Sequence, residues 1–542
     1  MVPALSLVAL SLSFGTYAFT TEPLSIGPVA DLPIVNKEIA PDGFSRAAVL
    51  AGGTFPGPLI IGDKGGRFDL HVINELDNPD MLRETSVHWH GFFQRGSSWA
   101  DGADSVTQCP IPPGHSFHYQ FDVPDQAGTF WYHSHSRTQY CDGLRGAMVV
   151  YDPKDPHKGL YDIDDKYTVI TLADWYHTLS PNMSGKPTPD STLINGQGRA
   201  PNSSTKADLA VINVKQGSRY RFRLVSISCD PFYDFSIDNH TMTVIEADGI
   251  NTEPLVVDLI QIYAGQRYSF VLHADQDVTN YWIRAKPNNA RDPSFNGGLN
   301  SAILRYDGAS PEDPTTKERP SAHRLREDYL HPLEKMPVPG KHSLKGADHT
   351  EILNLSFQNV TDPDTKEVAG KFMINGHIFE TPSLPVLLQI LNGVHDAHDL
   401  LPHGSVYNLE RGKVVDLVIP PLKIGGPHPF HLHGHNFWVI QSADSDLPNF
   451  ENPIVRDVVN IGMPNEKNVN VTIRFVTDNP GPWFLHCHID WHLDAGLAIV
   501  FAEGVNETGA IKPPPAAWGD LCPAFNASSK DPNAHPNDNL VP

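Results

Sequence analysis

The feature that most narrows what this chain can become is a set of histidine pairs spaced two residues apart. They stand on strand-like, aromatic-flanked segments: His88/His90, His133/His135, His431/His433 and His486/His488. On a strand, residues i and i+2 point to the same face and lie about 6.6 Å apart along it, so each pair offers two imidazoles to one cavity. With 27 histidines in 542 residues, chance alone yields about one such pair. The sequence has five, the fifth overlapping as His433/His435. Any single pair is accounted for by ordinary core or turn histidines; four on matching segments are not. Eight imidazoles are too many for one ion. Imidazole suits zinc, copper, iron and nickel, so a multinuclear metal centre is the natural use for them.

The triplet His486-Cys487-His488 adds a second constraint. Its middle residue faces away from its neighbours, so the thiolate serves a separate site and one segment touches two metal centres. A blue-copper site needs two histidines and one cysteine with a weak or absent axial ligand, and His428, Cys487 and His492 can supply those three. A lone cysteine beside histidine also suits zinc or a nucleophile. No Cys-x-x-Cys is present to build a zinc site. The cysteines are Cys109, Cys141, Cys229, Cys487 and Cys522, and an odd number in an oxidising compartment leaves one for another job. Spacing does not select a pairing among the other four.

Three segments share alternating apolar residues, a polar turn and an aromatic-rich strand: 117–135, 266–285 and 471–488. Each has a related strand upstream, near Thr85, Phe235 and Phe430. This reads as one β-sandwich unit used three times, the middle copy without paired histidines. The 48 prolines, 42 glycines and 19% charged residues fit a turn-rich, mostly β chain. Breaks at Asp152-Pro153-Lys154-Asp155-Pro156 and in the polar stretch from 307 to about 350 set the expected domains at 25–155, 156–325 and 326–542, with a loose tail after Cys522.

The apolar stretch 2–14 followed by Thr16-Tyr17-Ala18 reads as a signal peptide over 1–21, with cleavage between positions 18 and 24. No later segment approaches the roughly 18 apolar residues needed to span a bilayer. Sequons at Asn182, Asn202, Asn239, Asn354, Asn359, Asn470, Asn506 and Asn526 suit a glycosylated, secreted, extracellular protein. The formal charge of -23 is spread along the chain. It disfavours nucleic acid and favours small neutral or cationic substrates.

Four longer motifs carry a family resemblance: HWHGFFQRGSSWADGADSVTQCPIPPG from His88, GTFWYHSHSRTQYCDGLRG from Gly128, HPFHLHGHNF from His428 and GPWFLHCHIDWHLDAGL from Gly481. Together they resemble the copper-binding segments of laccases, particularly those of wood-rotting fungi, over nearly the whole mature chain. The resemblance implies an all-β fold of three cupredoxin-like Greek-key β-sandwich domains, four coppers, and a trinuclear cluster between the first and third domains. By motif it implies that His428, Cys487 and His492 hold a type 1 copper and that His88 and His431 hold a type 2 copper. His90, His133 and His488 would hold one type 3 copper, and His135, His433 and His486 the other.

Ten residues after the cysteine, in the family's axial position, stands Leu497. A leucine cannot coordinate, so a three-coordinate type 1 copper of raised potential is expected; Leu497 also suits an ordinary core. Laccase-like pairing implies disulfides Cys109–Cys522 and Cys141–Cys229. Asp230 matches the acid that laccases place in the phenol pocket, where a carboxylate accepts the phenolic proton as the electron leaves. Asp before Pro231 also initiates turns, and sequence alone does not choose. Asp101 and Asp490 resemble acids that relay protons to reduced oxygen or orient imidazoles. His71, His118 and His435 are expected to be ordinary surface, core or supporting residues.

The expected activity is one-electron oxidation of phenols or aromatic amines coupled to reduction of dioxygen to water, by a monomer. Electrons would run from the type 1 site through Cys487 to His486 and His488. A ferroxidase would share the copper ligands but oxidise Fe(II). An ascorbate oxidase usually has an axial methionine. A non-catalytic copper-binding cupredoxin is expected to have lost ligands, and none is lost here.

Overall fold

In the computed structural model, the described residues are 24–528 apart from 184, 204–205, 362–365, 367, 423, 463–468 and 512. The expected signal peptide over 1–21 and the end of the tail lie outside them.

The molecule is built from strands, arranged as three two-sheet sandwiches. In the first, the sheet Ser25–Ile26, Leu59–Asp63, Arg145–Tyr151, Gly128–Ser134, Val87–His90 faces the sheet Arg46–Ala51, Val29–Ile39, Gly66–Asn74, Ser116–Val123. The outer sheet shows plain alternation in its antiparallel pair Gly66–Asn74/Ser116–Val123: Phe68, Leu70, Val72, Tyr119 and Phe121 are buried and their neighbours are more exposed, as one solvated face requires. The inner strands Val87–His90 and Gly128–Ser134 are buried on both faces. Trp89, Phe130 and Tyr132 fill the sandwich core, which by the two-residue period turns His88, His90 and His133 to the other side.

One strand layout occurs in all three sandwiches. Leu59–Asp63 pairs parallel with Arg145–Tyr151, which pairs antiparallel with Gly128–Ser134, then Val87–His90. The second repeats this with Val211–Val214, Ser301–Tyr306, Asn280–Pro287 and Tyr233–Ile237. The third does so with Val406–Leu409, Ala498–Glu503, Gly481–Cys487 and Pro429–Leu432. In the first and third copies the last two strands carry His88, His90, His133, His431 and His486, while His135, His433 and His488 follow directly after strand ends.

Two disulfides form, Cys109–Cys522 and Cys141–Cys229, and Cys487 is left free and buried. The Cys109 bridge ties the C-terminal helix Leu521–Ser528 to the first sandwich. No described helix is long and apolar enough to cross a membrane.

Candidate metal centres

Four strands meet where the first and third sandwiches face each other. In one pair His88 stands opposite His133; in the other His431 stands opposite His486 and Phe430 opposite Cys487. The eight histidines of the four pairs fall into three groups, within each of which the nitrogens lie within 4.8 Å of one another: His88/His90/His431 and His90/His133/His488, which share His90, and His135/His433/His486. A separate group is His428/Cys487/His492.

Hydrogen bonds set the tautomers in the shared cavity. Nδ1–H donates from His88 to Asp101 O (2.8 Å), from His133 to Ser134 O (2.8 Å), from His431 to Asp457 O (2.9 Å) and from His486 to Cys487 O (3.0 Å). His433 donates from Nδ1 to Asp101 Oδ2 (2.8 Å). Each of these rings therefore presents an unprotonated Nε2. His90 is reversed, donating from Nε2 to Asp457 Oδ1 (3.1 Å) and leaving Nδ1 facing His488 Nε2 at 3.2 Å.

This donor set fits metal ions. Nε2 of His88, His133, His135 and His431 is buried without a hydrogen-bond partner among the described residues. Nε2 of His433 and His486 face each other at 3.1 Å, and with both protons held on Nδ1 these are two lone pairs that a cation between them would reconcile. Burial, then repulsion from neighbouring imidazoles, holds His90, His133, His431, His433 and His486 well below the usual histidine range. Burial brings His135 and His488 down to about 3. The rings stay neutral, as ligands must.

Two acids orient the cavity. Asp101, one of the expected pair, lies within 3.3 Å of His88 Nδ1 as well as binding His433. Asp457, which the sequence did not single out, binds His90 and His431 and is gripped by both terminal nitrogens of Arg267 (2.6 and 2.7 Å). No local pattern announces it, because Arg267 is 190 residues away. Gly265 also abuts the rings: its φ is +84°, and a Cβ there would sit 2.8 Å from His488 Cδ2 and 3.1 Å from His90 Cε1. The other expected acid, Asp490, lines with His133, His135, His486 and His488 a gap too tight to admit a water molecule. Burial, with Asp494 adding to it, keeps its carboxyl protonated well above the usual range.

At the cysteine site, Sγ of Cys487 lies 3.6 Å from Nδ1 of both His428 and His492, and those two nitrogens are 3.1 Å apart. His428 donates from Nε2 to Ile424 O (3.1 Å), which frees Nδ1; burial lowers its pKa to about 4. Leu497 is fully buried, and its carbonyl accepts the Cys487 N–H (3.1 Å). His492 is only half-buried. Phe372 packs against its ring, with centroids 4.6 Å apart.

Asp230 is also half-buried, and Asn289 Nδ2 donates to its Oδ2 (2.6 Å). Burial, then the nearby Asp174 carboxylate, raises its pKa to about 7. Asp174 accepts from Arg145, from the N–H groups of Cys229 and Asp230, and from Tyr176, whose hydroxyl in turn accepts from Trp491 Nε1. One buried carboxylate thus ties the Asp230 loop to the residue before His492. His71 and His118 stack on each other at the outer sheet surface, while His435 is buried against Glu503 (3.0 Å).

Neutral imidazoles and one thiol, split between a multinuclear cavity and a two-histidine, one-cysteine site on cupredoxin-like sheets, define a copper oxidase. The sequence models of the multicopper oxidase family match residues 34–155, 166–309 and 379–507. The chain belongs to that family. Among curated relatives it is 58% identical to a laccase of Trametes hirsuta over 507 residues, 93% of this chain and 95% of the relative. It is 56% identical to Laccase-1 of Pleurotus ostreatus over 531 residues, 96% of each. Among solved structures it resembles the laccase from Botrytis aclada (TM-score 0.80, 31% identity, 96% of both chains). Fet3p, a multicopper oxidase that functions in iron import, gives a TM-score of 0.79 at 29% identity, covering 92% of this chain and 95% of that one. At such identity to curated laccases the activity is that of a laccase, and the cofactors are four coppers of types 1, 2 and 3.

Proposed function

We propose that the chain oxidises phenols and aromatic amines at the His428/Cys487/His492 end and delivers their electrons to dioxygen in the histidine cavity. His428, Cys487 and His492 hold the type 1 copper and His88 with His431 the type 2 copper; the type 3 pair is held by His90, His133 and His488 and by His135, His433 and His486. Bound copper supplies the one-electron redox chemistry that carries four electrons to each dioxygen.

The chain's own residues do the rest. His492, half-buried, offers the substrate an edge. Asp230 accepts the phenolic proton, avoiding a high-energy radical cation. Cys487 is bonded through the backbone to His486 and His488, so one segment joins both sites covalently. The buried Leu497 side chain would offer a bound copper no donor atom. Asp490, kept protonated, holds a proton beside the cavity, and Asp101 holds two rings in place. The protein is secreted and monomeric, with domains at 25–155, 156–325 and 326–542.

The observation that carries this reading is the inward-facing nitrogens of the cavity, four of them without a partner among the described residues, joined by one segment to a cysteine–histidine site that only His492 leaves partly exposed. Dioxygen uptake by the copper-loaded protein with a dimethoxyphenol, compared with Fe(II), tests it. One dioxygen per four electrons without peroxide is expected, and uptake with Fe(II) alone would contradict it.

A further inference from the structure

The substrate end of the cysteine site carries a cation at odds with the chain's overall charge of -23. Lys186 is exposed and precedes Pro187, whose carbonyl accepts from Asn289 Nδ2 (3.2 Å). The same amide donates to Asp230 Oδ2 (2.6 Å). Asn289 therefore fastens the Lys186-Pro187 turn beside the acid. One amide thus joins the backbone next to Lys186 to Asp230, the acid a docking phenol must meet. Among the described residues the Lys186 ammonium makes no salt bridge. The field of the whole acidic surface is screened within about 8–10 Å at ordinary salt, so a single cation on the turn beside Asp230 outweighs distant carboxylates there.

We propose that Lys186 sets substrate preference at this mouth, favouring aromatic substrates that carry an anionic substituent such as a ring carboxylate or sulfonate. The ammonium pairs with that substituent while the hydroxyl meets Asp230 and the ring edge meets His492. This rests on the reading of His492 and Asp230 as the substrate end. Asn289 holds the turn and so fixes where the charge sits.

The test compares 2,6-dimethoxyphenol with 4-hydroxy-3,5-dimethoxybenzoate, the same phenol bearing a carboxylate, in oxygen uptake by the copper-loaded full chain at low salt. Lys186→Gln is expected to raise KM for the benzoate about three- to five-fold and Lys186→Glu about ten-fold, the size of an exposed ion pair and its reversal. In both variants kcat and the KM for the neutral phenol stay within about two-fold, and Lys186→Arg keeps the original KM for the benzoate. Added salt should raise the unmodified protein's KM for the benzoate only. Equal changes for both substrates, or none, overturn the proposal while leaving the laccase reading intact. Failure of the unmodified protein to oxidise either substrate overturns both.

Discussion

The outer sandwiches and the middle one share a strand layout but put different residues at the same place. In the first and third, the two inner strands carry His88, His90 and His133, and His431 and His486. In the middle one, the matching strands Tyr233–Ile237 and Asn280–Pro287 carry no histidine. Yet the middle sandwich reaches the site from outside: Arg267 grips Asp457, Gln266 Nε2 donates to Val458 O, Gly265 backs His488 and His90, and Asp174 ties the Asp230 loop through Tyr176 to Trp491, the residue before His492. A repeated framework thus gives the outer copies the histidine cavity and the middle copy the residues that brace it, Arg267, Gln266 and Gly265.

The sharpest way to break that contrast is Arg267→Leu. It leaves Asp457 buried without its cation, a loss of about 3–5 kcal/mol for a broken buried pair. Copper should be lost from the histidine cavity while the absorbance of the cysteine site survives, as metal analysis and visible spectroscopy would report. Retention of all four coppers would remove the middle sandwich from the account.

Gly265→Ala is the next probe. It forces a Cβ against two ligand rings at a backbone angle that disfavours side chains. A loss of about 1–3 kcal/mol is expected in chemical unfolding, with altered copper binding in the cavity alone. Asp230→Asn should lower kcat/KM for a neutral phenol about ten-fold above neutral pH. Below about 7 the native acid is itself protonated. The ratio of native to variant kcat/KM should therefore fall towards one as pH drops through that value, and a ratio flat with pH would deny Asp230 its role.

These contrasts were unevenly legible in the sequence. The ligand pattern was, because a two-residue period is local: His486 and His488 were expected on one face and Cys487 on the other, and Cys487 does pack in the core among Phe430, Leu485 and Leu497. The three-fold strand layout was visible in the repeated aromatic strands. Asp457 was not, since Val455-Arg456-Asp457 looks like any polar strand end and its partners come from two other sandwiches. Nor was the link from Asp174 to both Asp230 and Trp491, which forms only when a strand, a loop and a helix distant in the chain meet. Where ligands alternate along a strand, sequence suffices; where a buried charge crosses between sandwiches, the fold must be known.

The measurement that tests the account most directly is copper content and dioxygen uptake of Cys487→Ser. Three coppers in place of four, loss of the visible band of the cysteine site and a fall in phenol-driven uptake of about a thousand-fold or more are predicted, because the shortest covalent path between the two sites starts at that thiolate, whose residue is bonded directly to His486 and His488. Undiminished turnover by this variant would contradict it.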